Sequence, residues 1–188
     1  DRTVESLIVD RSGSGSDFST QETSQETING ENGETVTTVD SRYTLTVTGD
    51  SELRAGDISK ATLAFGGDAD QSFEIGTGSV AVVDGITLAK STTGEEVPGV
   101  TVSGAGLETD DLTLNNGVLI TEDDNTVDIG TNGFTRNVAE GDTSHVVGSV
   151  TIRVNEDNLV AEYPVGSANA SYRPFGFIFT QAPTQATD

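Results

Sequence analysis

Apolar residues in this chain recur at every second position, in short runs broken by Gly, Asp and Asn, and almost nowhere at the spacing of a helix. That alternation marks a strand with one buried face. Residues 42–49, RYTLTVTG, place Tyr43, Leu45 and Val47 on one face and threonines on the other. The same rhythm runs through TVESLIV (3–9), ETVTTV (34–39), ISKATLAF (58–65), QSFEI (71–75), SVAVV (79–83) and ITLAK (86–90). It continues in VTV (100–102), LTL (112–114), VLIT (118–121), TVDIG (126–130), VVGSVTIRV (146–154), NLVAEYPV (158–165) and PFGFIFTQ (174–181). Asp84-Gly85 and Asn116-Gly117 fall between such runs and carry the chemistry of a tight hairpin; Asn132-Gly133 is a third turn of this kind. Strands at this spacing predict an all-β fold, an antiparallel β-sandwich or jelly-roll of about 10–12 strands. No internal repeat is evident.

The material for a core is thin. Hydrophobic residues are 33% of the 188, aromatics 5%, and Trp, Met and Cys are absent. Val, Ile, Leu and Ala must supply the interior, and many modest contacts must offset the entropy of ordering the backbone. The surface is heavily charged: 31 Asp and Glu against nine Lys and Arg give a net charge of −22, and Lys60 and Lys90 are the only lysines. Such a charge destabilises the compact state by self-repulsion. In molar salt the Debye length falls to roughly 3 Å and the repulsion is screened. The composition therefore predicts a protein of an extreme halophile. An acidic mesophilic domain, the alternative, would melt alike in low and molar salt.

Several function classes are disfavoured. Phosphate binding needs clustered Lys and Arg, and here the arginines are scattered, so neither nucleic acid nor an anionic membrane surface is an expected partner. No apolar run approaches the ~20 residues of a spanning helix, so membrane insertion is not expected. Without cysteine there are no disulfides, thiolate metal sites or cysteine nucleophiles. Asp1 is not an initiator methionine, and export with signal cleavage to an extracellular or cell-surface location is the expected origin of that start. The sequon Asn169-Ala170-Ser171 fits a surface position and makes Asn169 a glycosylation candidate.

Candidate chemistry is sparse. The only histidine, His145, follows Ser144 and lies three residues after Asp142. Adjacent strand residues point to opposite faces, so Ser144 and His145 do not make the nucleophile and base of a triad. Carboxylate proximity says little in a chain with 31 acids, and no enzyme activity is expected. The loop EDDNTVDIG (122–130) offers Asp123, Asp124, Asn125 and Asp128 as oxygen ligands for a structural Ca²⁺, with GGDADQ (66–71) a weaker second; neither has the twelve-residue EF-hand spacing. No other cofactor is expected. GTGSV (76–80) and GSGSD (13–17) lack the lysine of a phosphate loop and read as turns.

The organisation directs attention to the two apolar ends. Residues 12–34 are polar and rich in Gly, Ser, Thr and Gln, as in a flexible linker or long loop. They separate an N-terminal strand, residues 1–11, from a β-sandwich domain spanning 35–188. With about 22 residues of reach, TVESLIV could extend up to roughly 70 Å. It could then add to the sheet edge of a neighbouring copy and build a head-to-tail filament. The inserting residues would be Val4, Leu7, Ile8 and Val9, although Val4 has the opposite parity to Leu7 and Val9; that mismatch implies a bulge or burial on both faces. The intramolecular alternative is an ordinary first strand. At the other end Phe175, Phe177 and Phe179 alternate toward the core, while Gly176 and Ile178 make a second face for a loop or another protein to cover.

TVESLIV at a processed-looking start, SELRAGDISKATLAFGG (51–67) and FIFTQAPTQ (177–185) resemble the TasA–camelysin type of secreted fibre subunits and their archaeal relatives. That resemblance implies a jelly-roll that polymerises by donating its N-terminal strand, a homopolymer on a haloarchaeal surface. The chain is also similar to the acidic, cysteine-free capsid and decoration proteins of haloarchaeal viruses, which would place it in a virion. A cell-surface carbohydrate-binding module is a third expectation.

Overall fold

In the main sheet, strands that follow one another in the sequence do not reverse direction; each lies on the strand one turn earlier and runs the same way. The structure, a computed structural model, describes residues 2–9, 18–19, 22–30, 33–41, 43–54, 58–76, 80–91, 97–122, 125–138, 143–154, 160–167 and 171–180. Its main sheet is parallel throughout, and the chain coils as a β-solenoid. This overturns the antiparallel sandwich or jelly-roll, including the jelly-roll that the resemblance to fibre subunits implies.

The rungs fall into three stacks. One contains 81–83, 107–109, Thr126–Ile129 and Ser149–Ile152. A second contains Arg2–Val4, Tyr43–Val47, 61–65, 85–89, 111–114 and Phe134–Arg136. The third contains Leu7–Val9, Ser51–Leu53, Gln71–Ile75, Gly99–Gly104, 117–121 and Ser144–Val147. Parallel registry puts like residues on top of one another, so inward positions form continuous columns. Leu45, Leu63, Ile86, Leu112 and Phe134 are one such column; Val47, Phe65, Leu88 and Leu114 are the next. From the third stack Phe73 meets Phe65 across the interior, ring centroids 5.5 Å apart. Burying each such side chain contributes about 1.5–3 kcal/mol, so a narrow interior of small aliphatics suffices when every turn adds to it.

The turn dipeptides work differently from the hairpins expected of them. Asp84-Gly85 lies inside the continuous strand Ala81–Ala89. A Cβ on Gly85 would come 2.8 Å from the Thr62 hydroxyl oxygen, so close approach of the neighbouring rung, not a reversal, requires glycine there. Asn116-Gly117 lies inside Leu107–Thr121, and Gly117, at φ +105°, carries the chain from the second stack to the third. A solenoid corner needs a bend of the chain without reversal, and the same positive φ serves both. Asn132-Gly133 is a true turn: Gly133 has φ +74° and its N–H donates to the Gly130 carbonyl at 3.0 Å.

The N-terminal strand is not donated. A bend at Glu5 divides TVESLIV: Arg2–Val4 pairs with 45–47, and Leu7–Val9 pairs with Ser51–Leu53, both in parallel and within one chain. The break also resolves the parity mismatch, since Val4 and Leu7 now both pack against the core from different stacks. Within the polar stretch 12–34, Phe18–Ser19 pairs with 58–59, and Glu22–Gly30 pairs antiparallel with Gly33–Ser41; the rest of that stretch lies outside the described residues, apart from Gly33 and Glu34 in the partner strand. Among the described residues no helix is long and apolar enough to cross a membrane.

One corner is polar inside. Lys90 is buried, and its Nζ donates to the Gly66 carbonyl at 3.0 Å and to Gln71 Oε1 at 2.5 Å. Gln71, also buried, donates from Nε2 to the carbonyls of Val47 and Gly49. Burial holds the Lys90 pKa below the ordinary lysine value, while the charges of Asp70 and Asp68 oppose that shift. Asp70 in turn accepts the Gly99 N–H at 2.7 Å.

Candidate functional site: the terminal hairpin

At the far end of the solenoid the chain changes habit and closes on itself. Val160–Tyr163 pairs antiparallel with Phe175–Ile178, and Gly166–Ser167 with Ser171–Tyr172, in one uninterrupted register. Tyr163-Pro164-Val165 joins this hairpin to the last rung: the Val146 N–H donates to the Pro164 carbonyl at 2.7 Å, and Val165 bridges Val146 in parallel. The hairpin is thus fixed at its middle.

Its outer half, Gly166–Ser167 with Ser171–Tyr172, is seated on His145. Val146 belongs to the core, so His145 projects from the opposite side of the strand Ser144–Val147, where the hairpin covers it completely. His145 Nε2 lies 3.0 Å from the Ser167 carbonyl, to which it donates, and Nδ1 has no hydrogen-bond partner among the described residues. Burial depresses the His145 pKa; the Ser167 bond opposes this and the charge of Arg136 adds to it. The neutral imidazole is the form the seat accommodates. Arg136 lies over the Tyr172 ring at 4.1 Å and donates from Nε to the Ser144 carbonyl. Tyr172 donates its hydroxyl to Glu162 at 2.9 Å, and desolvation, then that bond, pushes its pKa up to about 12.

The other half of the hairpin carries the aromatics. Tyr163 and Phe175 stack at 4.7 Å and 5°; Phe177 meets both edge-on, at 6.2 and 5.9 Å, and Phe179 lies 6.5 Å beyond. Tyr163 and Phe179 pack against the end of the core. Phe175, Phe177 and Ile178 remain 51%, 54% and 80% exposed. Among the described residues no strand pairs with the outer edge of Phe175–Ile178.

The structure distributes the sequence-derived candidates unevenly. Of the three phenylalanines expected to point into a core, only Phe179 packs against it. Val4 and Leu7 are half-buried at the opposite end, Ile8 is 59% exposed there, and Val9 lies in the paired strand. Asp123, Asp124, Asp142 and Asn169 lie outside the described residues. Asp128 is held by Arg153 at 2.8 Å, and the same guanidinium reaches Glu108 at 2.9 Å, so that carboxylate serves a ladder across rungs. The Asn125 N–H closes a turn onto the Glu122 carbonyl. Among the described residues no group of three or more His, Cys, Asp or Glu is placed to hold a metal ion.

Sequence reasoning missed Arg136, Tyr163, Tyr172 and the seat for His145. One signal pointed to the region: residues 163–187 contain no Asp or Glu, the longest such stretch in the chain, and Arg173 is their only charge. No family model, curated protein or solved structure matches the chain.

Proposed function

We propose that this chain is a structural, self-associating component of an extracellular or cell-surface assembly in strong brine, and not a catalyst. The observation that supports this best is the pairing of a carboxylate-clad solenoid with a terminal segment, residues 163–187, that carries no carboxylate and leaves Phe175, Phe177 and Ile178 in solvent. A contiguous exposed apolar patch on such a surface marks a contact site. The solenoid supplies stiffness, because each rung contacts chiefly its neighbours and the columns run along the axis. Salt supplies the condition: with −22 charges per copy, approach of two copies requires screening.

Sedimentation velocity and negative-stain micrographs across concentration in molar KCl test the reading. Association that increases with concentration, and a melting temperature that falls as KCl is diluted, are expected. Material that stays a single folded particle at every concentration overturns it.

A further inference from the structure

The self-association reading becomes specific at one strand. We infer that Phe175–Ile178 pairs edge to edge with the same strand of a second copy, joining two terminal hairpins into one four-stranded antiparallel sheet. The inference rests on the proposed self-association and names its contact.

The strand has the properties of an edge seeking a partner. All four of its residues, Phe-Gly-Phe-Ile, are exposed, none is charged, and its only strand partner among the described residues is Val160–Tyr163. Sheet edges in natural proteins are commonly blunted by Lys, Pro or inward charge; the strand Phe175–Ile178 contains none of these. A two-stranded ribbon is marginal in water, and a third and fourth strand would give it independent stability.

The occupant follows from charge. A copy of this chain carries −22, and 13 carboxylates against one buried lysine populate residues 61–135. Two copies can therefore come together only where carboxylates are missing, and 163–187 is the longest such stretch. Antiparallel pairing of a strand with itself obeys a two-fold axis, so each copy offers the surface that the other needs and the contact closes as a dimer. Phe175 and Phe177 of both copies then share one face of the joined sheet, where aromatic pairs add to the backbone bonds.

The chain's lack of cysteine makes the test direct. Single cysteines are placed at 175, 176, 177 and 178, and at Val80, which is 54% exposed on the body of the solenoid. Oxidative cross-linking in molar KCl is read on non-reducing gels, beside the dimerisation constant of Ile178→Lys from sedimentation. Circular dichroism checks that each variant is folded. We expect fast cross-linking at one or two strand positions and slow cross-linking at 80, with Ile178→Lys weakening the dimer about tenfold or more, since the charge enters twice. If the wild-type chain associates but cross-links no faster in the strand than at 80, and Ile178→Lys leaves the constant unchanged, this contact is wrong while self-association stands. A wild-type chain that is monomeric throughout removes both. Association that appears only with an added polysaccharide also overturns the pairing.

Discussion

The middle of the solenoid and the terminal hairpin solve the same problem in opposite ways. Residues 61–135 carry 13 carboxylates and bury their apolar residues in columns, with Phe65, Leu88 and Leu114 at or near zero exposure. Residues 163–187 carry no carboxylate, and the hairpin they help to form leaves Phe175, Phe177 and Ile178 in solvent. A solenoid rung gains its burial from the rungs above and below, so an acidic outer face costs it nothing in packing. Among the described residues the hairpin has a neighbour on one side alone. Under the proposed association, what it lacks in burial comes from contacts beyond the chain, and there acid residues would be a hindrance. The comparison teaches that charge and burial are arranged together along the axis.

Substitutions can break or sharpen that contrast. The largest effect is expected from Phe65→Ala, which empties a column position touching Phe73: a loss of about 3–5 kcal/mol by denaturant titration in molar KCl. A loss below ~1 kcal/mol would mean that the columns do not carry the fold. Lys90→Met comes next. It keeps the length of the side chain but leaves the Gly66 carbonyl and Gln71 Oε1 without their donor, at a cost of about 1–3 kcal/mol by the same titration. An unchanged midpoint would show the polar corner to be dispensable.

A smaller effect concerns the hairpin. The His145 pKa is held below its ordinary value, so the folded seat binds fewer protons than the unfolded chain. The corresponding stability is whole above pH ~6.5, the unfolded value, and declines as the pH falls from there toward the lowered folded value. Protection of the amides of 160–167 and 171–178, corrected for the intrinsic pH dependence of exchange, should fall on acidification through that window, while that of the middle rungs changes less. His145→Gln should abolish the difference, and its persistence would place the titrating group elsewhere. The smallest effect belongs to Ile178→Lys: with 80% of the side chain already in water, monomer stability should move by no more than about 0.5 kcal/mol, even as association weakens.

Much of the secondary structure was legible. ISKATLAF and QSFEI coincide with Ile58–Phe65 and Gln71–Ile75. The direction of the strands was not. Alternation reports one buried face, and a solenoid whose outer face meets water alternates as a sandwich does. The repeat escaped for a related reason. Leu45, Leu63, Ile86, Leu112 and Phe134 occupy one column, yet they are 18, 23, 26 and 22 residues apart, because corner loops of unequal length separate the rungs. A search at fixed period cannot see such a series; the recurring phrases TLTV (44–47), TLAF (62–65), ITLA (86–89) and LTLN (112–115) were the available trace. Of the site, the aromatic strand was legible and its seat was not, since His145, Arg136, Tyr172 and Glu162 come together only when the hairpin folds back over the last rung.

By itself, then, the sequence determined that the chain is built of strands, where most of them lie, and that its surface is carboxylate while its last segment is not. These follow from local alternation and from composition, which no chain path can alter. Tertiary structure alone decided that the strands run parallel, that Asn116-Gly117 bends the chain without reversing it, and that Phe175 and Phe177 face solvent. The physical reason is that a positive-φ glycine and an alternating strand are compatible with several paths, and the choice among them rests on which columns fill when distant rungs stack.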